Sequence, residues 1–226
     1  MDSSYGNYVW PAALILSNYV WHHRKLFENR TILEVGAGTS LPSLILSKIN
    51  HPPNLIITDE PSVIQVARSC FTLNNISLPS SSIWIRSLVW GELGTGNSID
   101  QLLEDLTKQW KNKKIDYILG SDTFYDPKDF DKLLMTVAYI IHHHYSSCKF
   151  ITAYQERSSK RSIQFLLDKW SLQCRLIPKD SFDFDAAQFT EDNLDEDHNS
   201  NTTPPIKIDS GALSSVFLLE ISAKNQ

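Results

Sequence analysis

The stretch Thr31-Ile-Leu-Glu-Val-Gly-Ala-Gly-Thr-Ser-Leu41 carries the strongest structural signal in the chain. Its first half is rich in apolar and β-branched residues, which predicts a buried strand, and Gly36 and Gly38 then allow a tight turn. From Leu41 to residue 49 the apolar side chains recur on one face of a helix. In an open α/β sheet, the turn between a first strand and its helix lies at the edge where ligands bind.

Strands and helices alternate on the C-terminal side of this stretch. A second strand over residues 54–58 ends at Asp59 and completes a βαβ unit. Further strands are predicted over 82–88, 115–120, 149–154, 171–177 and 212–222, and helices over 62–74, 99–110, 128–144 and 158–170. The last two strands have no helix between them and should therefore form an antiparallel hairpin. The predicted fold is α/β, a three-layer sandwich around a mostly parallel, twisted, seven-stranded sheet that ends in this hairpin.

The acids near the glycine turn distinguish two classes of ligand. A dinucleotide fingerprint needs a third glycine where this chain has Leu41, so that fingerprint is incomplete. Glu34 would place a carboxylate near an ammonium group, which it attracts, or near a pyrophosphate, which it repels. Asp59 could accept hydrogen bonds from both hydroxyls of a ribose. S-adenosylmethionine carries an ammonium group and a ribose, so we predict it as the cofactor.

Composition and length indicate one domain over residues 1–226. The chain is 42% hydrophobic, enough for a substantial core, and no apolar run is long enough to span a membrane. Three cysteines without metal-ligand spacing predict reduced thiols. The adjacent His142, His143 and His144 would project in different directions from a helix, so we expect no metal site. We expect a monomer of the cytoplasm and nucleus.

The net charge of −5 is distributed unevenly. Eight acids and no Lys or Arg lie between Asp180 and Ile206, which leaves 18 acids and 21 bases elsewhere. We interpret residues 183–205 as an acidic loop insertion, either merely solvated or attractive to a basic peptide. A nucleic-acid substrate would need a denser basic patch, so we expect no direct nucleic-acid binding and no membrane binding.

Four short motifs resemble the small seven-strand, class I protein methyltransferases that include the calmodulin- and valosin-containing-protein-lysine enzymes. The motifs are Tyr8-Val-Trp-Pro-Ala12, the glycine turn, Leu88-Val-Trp-Gly91 and Ser121-Asp-Thr-Phe-Tyr-Asp-Pro127. The resemblance extends over nearly the whole chain. The cofactor contacts it implies are Trp10, Glu34, Gly36, Gly38, Asp59, Trp90 and Asp122, with the Asp122-to-Tyr125 motif on the acceptor side. It also implies that residues 1–30 form a short N-terminal segment that covers the cofactor.

Several of these residues have a second interpretation. Trp10 and Trp90 could stack on adenine or lie near the sulfonium, or they could be core tryptophans. Asp122 follows the most apolar strand, where a carboxylate is costly without a partner, or it could cap the helix that begins near Asp126. Tyr125 could act in catalysis or only form a wall of the pocket.

The acceptor determines which side chains the reaction needs. A lysine amine must lose a proton before it attacks, whereas an arginine guanidinium needs carboxylates that hold and orient it. Asp122 and Glu156 are the candidate carboxylates, with Tyr125 as a third catalytic candidate. No two-glutamate hairpin typical of common arginine methyltransferases is present, yet the resemblance to one family member implies histone-arginine activity. We therefore predict an arginine N-methyltransferase for a protein with a basic tail, suspected to be a histone. Lysine methylation of a non-histone protein and a chaperone-associated interaction protein with weak activity remain the alternatives.

Overall fold

The computed structural model describes residues 6–111, 113–157, 162–189 and 210–224. The strands are β1 (Thr31–Glu34), β2 (Asn54–Asp59), β3 (Ile83–Ser87), β4 (Tyr117–Ser121), β5 (Lys149–Gln155), β6 (Leu172–Ile177) and β7 (Val216–Ala223). The helices are α1 (Pro11–His22), α2 (Arg24–Phe27), α3 (Leu41–Leu46), α4 (Ile64–Leu73), α5 (Ile99–Gln109), α6 (Pro127–His143), α7 (Gln164–Lys169) and α8 (Ser210–Ser214). Two 3₁₀ turns, Lys179–Phe182 and Ala186–Phe189, follow β6.

The strands form one sheet in the order β3-β2-β1-β4-β5-β7-β6. β1 to β5 are parallel, and β7 lies antiparallel between β5 and β6. The chain order reverses at β1 and β4, because β2 and β3 lie on one side of β1 and the later strands on the other. The predicted mostly parallel sheet with its antiparallel hairpin is confirmed.

Helices cover both faces of the sheet because both faces of the central strands are apolar. Ile32 packs in a cluster with residues of α1, α3 and α4, whereas its neighbour Leu33 packs in a second cluster with α5, α6 and α7. Successive strand residues point to opposite faces, so β1 is fully buried and contributes to both clusters. This burial fixes the glycine turn on a rigid support.

Helix α1 is absent from the sequence-based prediction. Residues 12–17, Tyr19 and Val20 are all buried, so the helix lacks the polar stripe by which an amphipathic helix is recognised. Pro11 occupies its first turn, where a missing N–H costs nothing. The helix packs on α3, β5 and β7, and its N-terminal end holds Trp10 near the glycine turn.

Two C-terminal boundaries differ from the prediction. The helix expected over 158–170 begins at Gln164 among the described residues, and residues 158–161 lie outside them. The strand expected from residue 212 begins at Val216, because the residues before it form α8. Most of the acidic loop insertion lies outside the described residues, and the single domain over 1–226 stays a prediction. Within the described part of the chain, no helix is long and apolar enough to cross a membrane.

Candidate cofactor and acceptor site

A cavity of about 650 Å³ opens at the carboxyl edge of the parallel strands. Its wall includes the N-terminal segment, the glycine turn and the residues that follow β2, β3 and β4. Seven of the nine predicted site residues line it, namely Trp10, Gly36, Gly38, Asp59, Trp90, Asp122 and Tyr125. Glu34 and Glu156 are not among the lining residues.

The two glycines of the turn are required by packing within the protein itself. Gly36 and Gly38 have positive φ angles of 59° and 49°, a conformation that glycine adopts without strain. A Cβ on Gly36 would lie 2.9 Å from Cζ2 of Trp90, and a Cβ on Gly38 would lie 3.2 Å from the carbonyl oxygen of Gly6. The turn is therefore covered by the Trp90 indole on one side and by the N-terminal segment on the other. The sequence predicted that these glycines allow a tight turn, but it did not indicate this packing.

Asp59 connects the end of β2 to the glycine turn. Its Oδ2 accepts a hydrogen bond from the backbone N–H of Gly38 at 2.7 Å, and its Oδ1 accepts one from Glu60 at 2.7 Å. Burial raises the pKa of Asp59 to about 6, and the two N–H donors lower this pKa only in part. Each oxygen retains a second lone pair, so the carboxylate can still accept a hydrogen bond from a ligand hydroxyl.

Glu34 lies at the end of β1 but beside the first turn of α3. Its side chain is buried, and burial raises its pKa to about 8, while the nearby Ser43 hydroxyl and N–H offset part of this rise. Within the described part of the chain, neither carboxylate oxygen makes a hydrogen bond of normal geometry. A buried carboxylate without a partner is costly, so a cationic group near Glu34 would stabilise it.

Asp122 forms an ion pair with a residue that the sequence analysis did not identify. Nη1 of Arg157 donates to Oδ1 of Asp122 at 2.9 Å, and Nη2 donates to Oδ2, so the pair is bidentate. The Asp122 side chain is 5% exposed and that of Arg157 is 30% exposed, and both line the cavity. Hydrogen bonding to Asp122 raises the pKa of Arg157. The alternative role of Asp122 as a helix cap belongs instead to Asp126, which accepts from the N–H of Lys128 at 3.1 Å.

Tyr125 and Glu156 differ in their relation to the cavity. Tyr125 lines it, and burial together with nearby carboxylates, Asp129 first, raises the pKa of its phenol far above neutral pH. The phenol therefore stays protonated and can donate a hydrogen bond, but it is unsuited to act as a base. Glu156 is exposed, and its backbone N–H pairs with Ser215 at 3.0 Å. A catalytic role for Glu156 stays a prediction without support from this geometry.

The cavity wall is predominantly acidic. Five carboxylates line it, those of Asp59, Glu60, Asp122, Asp126 and Asp129, against two cationic side chains, Lys132 and Arg157. Both cations are already paired, Lys132 with Asp129 at 2.7 Å and Arg157 with Asp122. Three carboxylates thus remain without a basic partner from this wall, an arrangement that favours cationic ligands.

The three adjacent histidines lie at the C-terminal end of α6. His142 and His143 lie in the last turn of α6, and Nε2 of His142 is 2.9 Å from the carbonyl oxygen of Trp170. Among the residues that the structure describes, no group of three potential ligands could hold a metal ion.

Arg157 is the part of the site that the sequence did not predict. Arg157 is 35 residues from its partner, and a single arginine after a strand shows no periodic pattern. The signal that could have found it is topological: β5 follows β4 in the parallel sheet, so residues after both strands meet at the same edge. Gly6 and Tyr8, in the N-terminal segment that precedes α1, also line the cavity.

Comparison with models of protein families finds a match over residues 1–169 to a family described as lysine methyltransferase. This match covers most of the chain. The chain belongs to the lysine methyltransferase family. The family resemblance inferred from the four sequence motifs is thereby confirmed.

Named relatives of this methyltransferase differ in the acceptor that their names specify. The chain is 38% identical to the histone-arginine methyltransferase METTL23 of Xenopus laevis, covering 82% of the chain and 72% of that protein. It is 34% identical to METTL23 of Homo sapiens, covering 84% and 92%. A protein N-terminal and lysine N-methyltransferase of Candida albicans, EFM7, is 30% identical and covers 58% and 51%.

Solved structures with the same fold include other methyltransferases. A TehB-like S-adenosylmethionine-dependent methyltransferase from Corynebacterium glutamicum superposes with a TM-score of 0.52 at 12% identity, covering 98% of this chain and 91% of that one. The YcgJ protein from Bacillus subtilis superposes with a TM-score of 0.54 at 10% identity, covering 93% and 99%. At these identities the likeness concerns the fold alone, and it confirms the class I, Rossmann-like architecture.

S-adenosylmethionine is the cofactor of this methyltransferase, and the residues at the cavity fit it. The unpaired acids suit a cationic molecule, and the Ser121 hydroxyl, which lines the cavity, is buried without a partner among the described residues. Glu34, although outside the lining, provides a second buried group without a partner. When bound, the cofactor supplies a methyl group on a sulfonium. Asp59 and the glycine turn would hold it, because they combine a carboxylate at the end of β2 with a backbone that lacks Cβ atoms.

Proposed function

We propose that this methyltransferase modifies arginine on the basic tail of a protein, with a histone as the expected substrate. The observation that carries the proposal is the bidentate pair between Asp122 and Arg157, since it demonstrates that a carboxylate in this cavity suits a guanidinium. A guanidinium keeps its proton at neutral pH and needs such a carboxylate to fix its orientation. The METTL23 relatives named histone-arginine methyltransferases add independent support.

In this proposal each part of the cavity has a separate task. Asp59 accepts hydrogen bonds from the ribose, Trp90 and Trp10 enclose the cofactor, and Asp122 orients the acceptor guanidinium. Tyr125, whose phenol stays protonated, donates a hydrogen bond or excludes water, and both effects favour alignment of the reacting atoms. Alignment can lower the barrier by about 7 to 11 kcal/mol in favourable cases.

Lysine is the second candidate acceptor. The family description and the EFM7 relative, named for N-terminal and lysine methylation, favour it. The acidic wall would also attract a lysine side chain. Either acceptor loses one N–H proton as the methyl–nitrogen bond forms, and a carboxylate of the wall would accept it, because Tyr125 is too weak an acid to supply a phenolate base. A chaperone-associated protein with weak activity is the third candidate.

The expected setting follows from the substrate. A histone substrate implies that the protein acts on chromatin in the nucleus, and we expect a further population in the cytoplasm and a monomeric state. The acidic segment from Asp183 to Asp197, which we also propose as a docking surface for a basic tail, lies mainly outside the described residues.

Mass spectrometry of the modified side chain separates these candidates. Purified protein is incubated with isotopically labelled S-adenosylmethionine and either histones or a non-histone protein extract, and the Asp122→Asn variant serves as the matched control. Labelled methyl-arginine on histones, absent with Asp122→Asn, is the expected result. Methyl-lysine would instead establish the second candidate. No incorporation into any protein, with the cofactor still bound, would favour an interaction protein.

A pair of substitutions tests the separate tasks of the two acids. Asp59→Ala should raise the apparent KM for the cofactor more than Asp122→Asn does, because it removes a hydrogen-bond acceptor for the ribose hydroxyls. Asp122→Asn should reduce kcat more than cofactor affinity, because it acts on the acceptor. Steady-state kinetics with varied cofactor measure both effects, and the opposite pattern would contradict the assignment.

A further inference from the structure

The Asp122 carboxylate is held rigidly at the end of β4. Its backbone adopts a positive φ of 56°, and its N–H donates to the carbonyl of Ala153 at 2.7 Å. The side chain is almost fully buried, and both oxygens accept hydrogen bonds from Arg157. The carboxylate can therefore neither rotate away nor engage a second guanidinium in the same bidentate manner while Arg157 is in place.

Arg157 is anchored much less firmly than its partner. It lies two residues after Gln155, the last residue of β5. It is therefore beyond the last residue pair between β5 and β7, which is Gln155 with Val216. Its side chain is 30% exposed, against 5% for Asp122. The acid is therefore the fixed member of the pair, and the guanidinium is the member that can leave toward solvent.

We propose that the Arg157 guanidinium is an internal occupant of the acceptor position, which it leaves when the guanidinium of a substrate replaces it on Asp122. The inference rests on the proposed function, because it identifies Asp122 as the carboxylate for the acceptor. It adds that the buried Asp122 carboxylate is never left without a partner. Its bidentate pair with Arg157 is exchanged for a bidentate pair with the guanidinium of the substrate.

This exchange affects both affinity and selectivity. Leaving the buried Asp122 carboxylate without its partner is costly, and replacing the Arg157 guanidinium by the guanidinium of a substrate avoids that cost. An ammonium group cannot reproduce the planar two-nitrogen contact and so competes poorly with Arg157. The internal guanidinium thus selects against lysine and weakens the binding of arginine substrates, which must displace it.

Binding of a small probe tests the exchange without methyl transfer. In Arg157→Met, millimolar methylguanidinium should raise the melting temperature, while methylammonium at the same concentration should have less effect. The wild type should show neither shift. Lys132→Met is the matched control, because it removes a cation of the same wall that pairs with Asp129 rather than Asp122. Calorimetry with S-adenosylhomocysteine verifies that each variant is folded.

The outcomes of this experiment differ clearly. No shift of Arg157→Met with methylguanidinium, or equal shifts in Arg157→Met, Lys132→Met and wild type, would overturn the inference. Arg157→Lys is a second and milder variant, because a lysine retains the charge but donates from one nitrogen. It should show a smaller shift in the same direction, and a complete lack of response would count against the exchange.

Kinetics with an arginine peptide give a second measurement. The KM of Arg157→Met for the peptide should be lower than that of the wild type by about fivefold, a change of about 1 kcal/mol, and methylguanidinium should then inhibit competitively. An unchanged or higher KM would contradict the inference. If the wild type transfers no methyl group to arginine, the proposed function fails, whereas the probe experiment still reports whether Asp122 exchanges its guanidinium.

Discussion

Gly36 and Gly94 both have a left-handed backbone, but their surroundings differ. A Cβ on Gly36 would meet Trp90 at 2.9 Å, whereas a Cβ on Gly94 would meet nothing within 4 Å. Both alanine substitutions should lose about 1 kcal/mol of stability from backbone strain. Only Gly36→Ala should also displace the indole, so calorimetry should find weaker cofactor binding for that variant alone. Equal cofactor affinity in the two variants would contradict this assignment of the turn.

Glu34 should make stability depend on pH. Its pKa in the folded protein is raised from 4.5 to about 8, so the folded state binds a proton more readily than the unfolded state. The resulting stabilisation is fully present below the unfolded pKa and is lost as the pH rises through about 8. Relative to Glu34→Gln, the wild type should therefore lose stability with rising pH, at about 1.4 kcal/mol per unit at most.

Urea unfolding at several pH values between about 5 and about 8 measures this loss in the absence of cofactor. A difference between wild type and Glu34→Gln that stays constant over this range would refute the prediction. The same variant tests the cofactor role, because loss of an ionised partner for the ammonium group should weaken S-adenosylhomocysteine binding.

The C-terminal hairpin is joined to the parallel strands by a three-residue ion cluster. Glu220 of β7 contacts Lys149 of β5 at 3.2 Å and Arg175 of β6 at 3.3 Å, and its side chain is only 13% exposed. Glu220→Gln should cost about 1 kcal/mol of stability or less, because the two cations that lose their shared partner, 44% and 68% exposed, remain hydrated. Lys149→Met should cost less, because Glu220 keeps Arg175. Urea unfolding of both variants checks this order, and a larger loss for Lys149→Met would contradict it.

The elements that the sequence predicted well share one physical property. Strands such as β2 bury a short continuous apolar run and helices such as α6 bury a periodic set of apolar residues, and both patterns are visible without a structure. Helix α1 was not predicted because it is buried on nearly every side, so its sequence lacks the helical alternation of apolar and polar residues. The pair of Asp122 with Arg157 escaped prediction for another reason, since it depends on the register of β4 and β5 and on no local pattern.

Ligand binding should connect distant parts of the chain. The cavity wall includes Gly6 and Trp10 near one end of the sequence and Arg157 after β5, so a cofactor bound in this cavity would lie between distant parts of the chain. At about 100 times its Kd, S-adenosylhomocysteine should stabilise the protein by about 2.7 kcal/mol. Hydrogen exchange should slow in residues 6–13 and around residues 121–126, with less change in α7. Protection confined to α7 would contradict the position of the site.

The backbone of Asp122 restricts how this site can change during evolution. Few residues other than glycine adopt a positive φ readily, and asparagine and aspartate lead that small group. A descendant that loses methyl transfer but keeps the fold is therefore expected to carry asparagine or glycine at this position, both reachable from an aspartate codon by one nucleotide change. Alanine or valine, equally close in the genetic code, would strain the end of β4 as well as abolish the ion pair. Asparagine or glycine at this position is therefore the expected mark of a duplicated gene whose product binds protein but no longer transfers methyl groups.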